Sequence, residues 1–202
     1  MIQFGHGYIL HQFLSSITNK RTDDYGGDLK NRMKFPLEVA ESVANVVSNE
    51  TVLIARITVT DHVTNGWDVP SNIQFAKELK KLGFDWIDCS GYSGLIPWDP
   101  TIKSNPYTVQ IDASKQINKE VGVTTSVVGG IFKAKYAEEI VGNNTASLVM
   151  LGRAFLDNPH WPYRAADDLG VLKKDLFPIH YSYVIGNEKF RKLVKNHISK
   201  TQ

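Results

Sequence analysis

The alternation of amphipathic segments with short runs of β-branched residues is the feature that most constrains the fold of this chain. Strand-forming runs occupy residues 52–59, 86–89, 124–128 and 147–151, and segments with helical spacing of apolar residues follow each of them. This alternation is typical of βα units built around a parallel sheet. It predicts four strands, each followed by a helix, and one further helix over 29–47 that precedes the first strand.

Local signals predict where the helices begin and end. Ser71 is a suitable N-cap for a helix that stops at Gly83, and Pro36 predicts a start or a bend in the first helix. Further helices are predicted to end near 120 and to cover 133–141, 159–169 and 188–197, with a Gly- and Pro-rich loop over 91–106. Four βα units amount to half of a (β/α)8 barrel, since a whole barrel typically needs about 250 residues.

Composition excludes several functional classes. The 23 Lys and Arg against 21 Asp and Glu give a formal charge of +2, too small an excess to indicate a nucleic-acid or membrane partner. No apolar stretch approaches the roughly 18 residues of a membrane span, and the N-terminus does not read as a signal peptide. We therefore expect a cytoplasmic protein.

Metal chemistry is not expected. The single cysteine, Cys89, excludes an internal disulfide and a multi-cysteine metal site, and its place in a short strand is typical of a small buried apolar residue. The remaining histidines lack metal-ligand spacing and are interpreted as surface or packing residues. They are His11, His62, His160, His180 and His197.

Glycines close the last two predicted strands. Gly129 and Gly130 end one strand, and Gly152 followed by Arg153 ends the next. Reactive groups in barrels of this kind lie at the C-terminal ends of the strands, where phosphate is often bound. Backbone N–H groups at a glycine can approach an anion closely, and an arginine can add a bidentate contact. The pattern favours a phosphate site, although tight strand-to-helix turns also explain the glycines.

A cation inside an apolar strand is the second unusual feature. Arg56 lies in the run 52–59, where a charge is rarely tolerated without a partner. An ion pair at the rim of the sheet explains it, and so does stabilisation of negative charge on a bound cofactor or substrate. The strand itself favours neither interpretation.

The N-terminal tripeptide His6-Gly7-Tyr8 is the third candidate site. A histidine can donate a hydrogen bond to a carbonyl oxygen, and a tyrosine hydroxyl can supply a proton. Gln3 could add an amide donor to the same oxygen. A tyrosine packed in the core is the commoner explanation for such a tripeptide.

Three segments near the N-terminus resemble one family closely. Residues 6–15 read H-G-Y-I-L-H-Q-F-L-S, residues 19–27 read N-K-R-T-D-D-Y-G-G, and Asn31-Arg32 follows. Together they resemble the old yellow enzyme family of NADH:flavin oxidoreductases. The segments around Arg56, 128–130 and 151–156 resemble later parts of the same family, and the similarity is weakest after about residue 172.

The resemblance implies an FMN-bound (β/α)8 barrel that takes hydride from NADH or NADPH and passes it to the activated C=C bond of an α,β-unsaturated carbonyl compound. It implies that Arg56 lies against the pyrimidine edge of the flavin. His6 and Gln3 would bind the substrate carbonyl, and Tyr8 would protonate the adjacent carbon. The residues implied to hold the FMN phosphate are Gly129, Gly130, Gly152 and Arg153.

Four positions depart from the family pattern. Gln3 stands where the family has a histidine, and since an amide cannot become cationic, we expect weaker polarisation of the carbonyl. Ser16 replaces a proline, and Asp28 and Lys30 replace a serine and a glutamate. These three are expected to alter loop packing rather than chemistry.

The resemblance also predicts the domain organisation. Residues 1–172 are expected to form the C-terminal half of an FMN-binding barrel and 173–202 a C-terminal extension. The first three βα units of the family are expected to precede His6, so the fragment would need a complementary N-terminal half-barrel or would form a homo-oligomer. A catalytically inactive half-barrel that only binds a phosphate-bearing ligand is the alternative, and a flavin barrel of another reaction, such as a demethylase, is a third.

Overall fold

A five-stranded parallel sheet forms the centre of the computed structural model, which describes residues 1–48, 50–91, 93–95, 108–173, 176–185 and 187–198. The strands are β1 (Ile2–Gln3), β2 (Ile54–Thr58), β3 (Trp86–Ser90), β4 (Thr124–Val128) and β5 (Leu148–Met150). They lie in chain order and every neighbouring pair is parallel. The predicted α/β half-barrel with parallel strands is therefore confirmed.

The prediction of four strands was wrong by one. Ile2 and Gln3 form a strand of their own, in which Ile2 pairs with Ala55 and Gln3 with Arg56. A strand of two residues is too short to show the alternation by which strands are recognised in a sequence.

Helices follow the strands as expected. Within the described ranges they are α1 (Ile9–Leu14), α2 (Leu29–Ala44), α3 (Val69–Lys81), α4 (Thr108–Val121), α5 (Ala134–Gly142), α6 (Arg153–Asp157), α7 (Trp161–Asp168), α8 (Ile179–Ile185) and α9 (Glu188–Ile198). The short helices α1, α6 and α8 were not predicted. The loop predicted over 91–106 lies largely outside the described residues.

Two helix starts differ from the prediction. Asp68, rather than Ser71, is the N-cap of α3, because the Asp68 carboxylate accepts a hydrogen bond of 2.9 Å from the Ser71 amide. Helix α2 does not start at Pro36, since Asp28 caps it one residue before Leu29 and accepts from the Asn31 amide at 2.8 Å. Serine and aspartate are both good N-cap residues, so residue type alone does not show which of Asp68 and Ser71 caps α3.

The two faces of the sheet differ in chemistry. The outer face is mainly apolar, with Ala55, Ile57, Ile87, Cys89 and Val127 each exposed by 2% or less. Helix α4 packs on this face, where the Ser114 hydroxyl donates to Thr125 Oγ1 at 2.9 Å. The expected burial of Cys89 is confirmed. The inner face carries the polar side chains of Arg56, Thr58, Asp88, Ser90 and Ser126.

The chain divides into two compact units. The first comprises Met1–Phe132 and Ala137–Gly152 and contains the sheet, and the second comprises Lys133–Tyr136 and Arg153–Gln202. Within the second unit, the rings of Tyr163 and Phe177 stack 4.6 Å apart and Arg191 Nη1 pairs with Asp167 Oδ1 at 3.1 Å. None of the helices in the described part of the chain has the length and apolarity to cross a membrane.

The connection between α1 and α2 is held together by the side chains of the sequence motif. The Asn19 amide donates to the carbonyl oxygens of Phe13 and Tyr25, both at 2.7 Å. Arg32 Nε donates to Leu14 O at 2.9 Å, which satisfies a carbonyl at the end of α1. Much of the motif that identifies the family therefore builds a loop rather than a reaction site.

Two of the departures from the family pattern act in packing, as expected. The Ser16 hydroxyl donates to the Asn65 carbonyl oxygen, a bond that a proline could not make. Asp28 caps α2. Nothing in the structure explains Lys30.

We predict that Gly26→Ala lowers the free energy of unfolding by about 2 kcal/mol or more, because a Cβ at this position would overlap the Arg21 carbonyl group. The control is Gly142→Ala at the end of α5, where a Cβ has only the end of the Glu138 side chain near it, at 3.9 Å. We expect that variant to stay within about 0.5 kcal/mol of the wild type. Urea denaturation followed by circular dichroism measures both, and equal stability of the two variants would contradict the assignment.

Candidate active site

A row of polar side chains crosses the inner face of the sheet. The parallel register pairs Gln3 of β1 with Arg56 of β2, Arg56 with Asp88 of β3, and Asp88 with Ser126 of β4. Paired residues in neighbouring strands point to the same side of the sheet. Four side chains that are far apart in the chain thus become neighbours, and we call them the inner row.

Arg56 is paired with a fully buried carboxylate. Its Nε donates to Asp88 Oδ2 at 2.5 Å, and the second carboxylate oxygen, Oδ1, accepts from the Ser126 hydroxyl at 2.5 Å. Trp86 Nε1 in turn donates to Ser126 Oγ at 2.8 Å. The ion pair proposed as one explanation of Arg56 is confirmed. About 26% of the Arg56 side chain remains accessible, so the pair leaves room for a ligand.

His6 is fixed at both ring nitrogens. The Gln3 amide nitrogen lies 2.8 Å from Nδ1, and Ser90 Oγ lies 2.6 Å from Nε2. Because an amide nitrogen only donates, Nδ1 is the acceptor and Nε2 carries the proton of the neutral ring. The His6 backbone is left-handed, with φ of 58°, and its amide donates to Thr58 Oγ1 at 2.8 Å.

The pKa of His6 is lowered from its ordinary value. Burial is the largest cause, and the electrostatic effects of Arg56 and His11 act in the same direction, while the carboxylate of Asp88 acts in the opposite direction. A lowered pKa keeps the ring neutral at pH 7. His6 is therefore a hydrogen-bonding group here rather than a cation.

The turn after His6 leaves Tyr8 accessible. Gly7 is left-handed with φ of 75°, and a Cβ there would meet the Gly94 carbonyl oxygen at 2.7 Å. Tyr8 follows as the N-cap residue of α1, and 63% of it is exposed. The tyrosine is thus not a core residue, and its hydroxyl is available to a ligand.

The side chain of His11 binds the backbone of the same turn. The Gly7 amide donates to His11 Nδ1 at 3.0 Å, so the proton of the neutral His11 ring lies on Nε2. That nitrogen lies 3.2 Å from Asp61 Oδ1, and both side chains are fully buried. The interpretation of His11 as a packing residue is confirmed, with the addition that it is paired with a carboxylate.

Asp61 joins three segments at the carboxyl edge of the sheet. Its oxygens accept from the Ser15 hydroxyl at 2.5 Å, the Ser93 hydroxyl at 2.6 Å and the Trp67 amide at 2.8 Å. Burial on its own would raise the pKa of Asp61, but these bonds and the His11 ring outweigh it and lower the pKa to about 2. The carboxylate is therefore ionised and fixed.

The glycines at the ends of β4 and β5 differ in what the backbone demands of them. Gly129 and Gly130 have φ of 116° and 65°, so a turn explains both. Gly152 has no such φ, and a Cβ there would have no atom within 4 Å. Neither strain nor packing requires a glycine at 152. Because Val128 pairs with Met150, the two glycine segments leave the sheet side by side.

The structure gathers part of the predicted set. Gln3, His6 and Arg56 lie together on the inner face, and Tyr8 follows His6 after a single glycine. Arg153 begins α6 in the second compact unit, directly after Gly152. The prediction that Arg153 binds phosphate stays a prediction.

Sequence reasoning missed Asp88, Ser90 and Asp61. Asp88 had a usable signal, since it is a carboxylate between apolar residues in the strand that follows the one with Arg56. Two opposite charges in successive parallel strands are expected to pair. Ser90 and Asp61 had none, because serines and aspartates are common at strand ends and in loops.

Comparison with known proteins identifies the family. The model of the NADH:flavin oxidoreductase / NADH oxidase family matches residues 1–171. The chain belongs to this family, as the segments between His6 and Arg32 predicted.

Individual relatives agree. NADPH dehydrogenase of Bacillus cytotoxicus is 37% identical over 181 residues, which cover 90% of this chain and 50% of the relative. NADPH dehydrogenase of Geobacillus thermodenitrificans is 36% identical over 180 residues, with coverage of 89% and 51%. A structure of morphinone reductase in complex with tetrahydroNAD matches with a TM-score of 0.65 and 28% identity over 84% of this chain and 42% of that one. The chain spans about half the length of the curated relatives it matches.

We predict that Asp61→Asn lowers the free energy of unfolding by about 2 kcal/mol at pH 7, from the lowered pKa of this buried group. A carboxylate with a lowered pKa stabilises the fold above its unfolded value of 3.8, and that stabilisation is lost as the pH falls toward 2. The difference between the variant and the wild type should therefore shrink between pH 4 and pH 2.

Urea denaturation at pH 7, 5, 4, 3 and 2 measures this difference. Asp24→Asn is the control, because 88% of that side chain is exposed and its single ion-pair distance to Lys34 is 3.7 Å. A difference between Asp61→Asn and the wild type that is the same at every pH would contradict the assigned ionisation.

Proposed function

We propose that this chain forms the C-terminal half of an FMN-dependent oxidoreductase of the cytoplasm that transfers hydride from NADH or NADPH to the activated C=C bond of an α,β-unsaturated carbonyl compound. The observation that carries the proposal is the grouping of Gln3, His6 and Arg56 on the inner face, with Tyr8 accessible beside them. Family membership supports the flavin, and the names of the two NADPH dehydrogenases support a nicotinamide reductant.

The residues present fit FMN. Arg56 offers a partly accessible cation on the inner face, where the edge of a flavin ring would meet it. Neither packing nor strain requires a glycine at 152, at the end of β5. Without a side chain there, a phosphate can approach the backbone closely. Gly129 and Gly130 end the neighbouring strand, and the sequence predicts Arg153 as a further phosphate ligand. When bound, FMN accepts and donates the hydride.

The chain's own residues bind and orient the substrate. The Gln3 amide and the neutral His6 ring donate hydrogen bonds to the substrate carbonyl oxygen, and the bond from Gln3 to Nδ1 holds the His6 ring in place. For the His6 ring to donate to a substrate, the carbonyl oxygen must replace the Ser90 hydroxyl as the acceptor at Nε2. The pKa of His6 is lowered, so the carbonyl is polarised by hydrogen bonds without a full positive charge.

Tyr8 supplies the proton. Its exposed hydroxyl follows His6 on a turn whose backbone is fixed by His11 and by the contact between Gly7 and Gly94. A phenol donates a proton to a developing carbanion next to the polarised carbonyl. Hydride reaches one carbon of the double bond and this proton reaches the other.

The inner face has room for a complementary half-barrel. Ile54, Trp86, Val128 and Met150 are only partly buried there. We propose that a complementary N-terminal half of the barrel covers these side chains, since apolar groups on a sheet face are stabilised by removal from water. The substrate is then enclosed between two halves.

The first test is binding of FMN and turnover by the purified chain. We expect FMN to raise the melting temperature, because a ligand that binds only the folded form stabilises it, and we expect 2-cyclohexenone to stimulate NADPH oxidation. Binding of FMN without turnover favours an inactive half-barrel that needs its partner. If FMN does not bind and NADPH is not oxidised, the proposal of a flavin enzyme is wrong.

We predict that Arg153→Ala raises the dissociation constant of FMN by about tenfold to a hundredfold, the loss expected for one charge-assisted hydrogen bond to phosphate. Flavin fluorescence titration measures it. Arg21→Ala is the control, because Arg21 pairs with Asp23 on the exposed loop between α1 and α2. Equal affinity of the Arg153 variant and the wild type would mean that another group holds the phosphate.

We predict that Tyr8→Phe slows reduction of the enone by about a hundredfold or more while reduction of the bound flavin by NADPH stays nearly unchanged. Stopped-flow absorbance separates the two half-reactions. Tyr25→Phe is a matched control, since Tyr25 OH contacts Glu38 at 3.3 Å, away from the inner face. Equal loss in both half-reactions for the Tyr8 variant would exclude a role in proton transfer.

A further inference from the structure

The hydrogen-bond chain behind Arg56 has only one possible direction. The Trp86 indole and the Arg56 guanidinium are donors without acceptor capacity, and they stand at the two ends of the chain. The Ser126 hydroxyl therefore accepts a hydrogen bond from Trp86 and donates one to Asp88. Both oxygens of Asp88 therefore act as acceptors in this chain.

Asp88 therefore places a carboxylate directly against Arg56. The carboxylate is fully buried, and a buried charge is tolerated when it is paired and hydrogen-bonded at both oxygens, as it is here. Of the two paired side chains, only Arg56 is partly accessible, so a ligand on the inner face can contact Arg56 but not Asp88. A ligand at the inner row thus meets a directed N–H donor whose charge is already balanced.

We propose that Asp88 is a positioning residue that fixes the direction of the Arg56 guanidinium and balances its charge, so that the inner row accepts the uncharged edge of a flavin ring rather than a simple anion. The inference rests on the proposed function for the identity of the ring. The geometry of Arg56 and Asp88 stands without it.

Two substitutions separate the effect of Asp88 on the orientation of Arg56 from the effect of its negative charge. Asp88→Asn keeps an oxygen that accepts from Arg56 Nε and removes the negative charge. Asp88→Leu removes the acceptor and the charge at similar volume. A role in folding alone would act on stability in both variants, whereas the proposal gives them opposite effects on the bound flavin.

The first measurement needs no flavin. Hydrogen exchange of the Arg56 Nε–H, followed by NMR, should stay slow in Asp88→Asn and become at least tenfold faster in Asp88→Leu. His6 reports the charge, since Arg56, His11 and Asp88 act on it, and its titration should move to lower pH in Asp88→Asn. Unchanged His6 titration, or equally fast Arg56 exchange in both variants, would overturn the proposal.

The second measurement uses the FMN-bound protein. The midpoint potential of bound FMN should rise in Asp88→Asn, because Arg56 stays in place with its charge unbalanced. It should fall in Asp88→Leu, because Arg56 loses its anchor, and FMN affinity should fall by about tenfold. A shift in the same direction in both variants overturns the inference. If FMN binds neither the wild type nor the variants, the proposed function fails and the first measurement decides the role of Asp88.

Ser114→Ala is the matched control for folding. Ser114 is also a fully buried polar residue with a side-chain bond into the sheet, but its partner Thr125 lies on the outer face. Its substitution is expected to lower the melting temperature and to leave the His6 titration and the flavin potential unchanged. If Ser114→Ala changes the His6 titration and the flavin potential as the Asp88 variants do, loss of any buried polar group produces these changes. That result would overturn the role assigned to Asp88.

Discussion

The parallel register of the strands is the constraint on which the candidate site depends. It places Gln3, Arg56, Asp88 and Ser126 in one row, although the chain separates Arg56 from Asp88 by 32 positions. A shift of one residue in β3 would turn Asp88 to the apolar outer face and leave Arg56 without a counter-charge. Packing of the outer face against α4 therefore fixes the electrostatics of the inner face.

A second constraint acts at the carboxyl edge, where irregular segments meet. Asp61 binds the end of α1, the loop after β2 and the segment after β3 through four different groups. Loops in barrels can carry functional residues because a rigid scaffold holds the loops in place. Here the buried carboxylate of Asp61 helps to hold the loops at the edge of the sheet. The turn that carries His6 and Tyr8 gains its fixed shape through His11, which contacts that carboxylate.

The sequence predicted the repeating elements well, because the strands after β1 are short runs rich in strand-forming residues and each long helix has a clear apolar face. It failed at β1, whose two residues show no period, and at the start of α3, where Asp68 and Ser71 are both good caps. The candidate residues His6, Tyr8 and Arg56 could be found from a motif and from a misplaced charge. Their partners could not, because Ser90 lies 84 positions from His6 and only tertiary structure brings them together.

The left-handed backbone of His6 has a consequence for how this chain can change over evolutionary time. A residue with a Cβ pays about 1 kcal/mol or more for that conformation, whereas glycine adopts it freely. Selection for a more stable fold would therefore favour loss of the imidazole at this position, and only selection for what the ring does would oppose it. His6 marks a place where a stabilised laboratory variant and a working protein are expected to diverge.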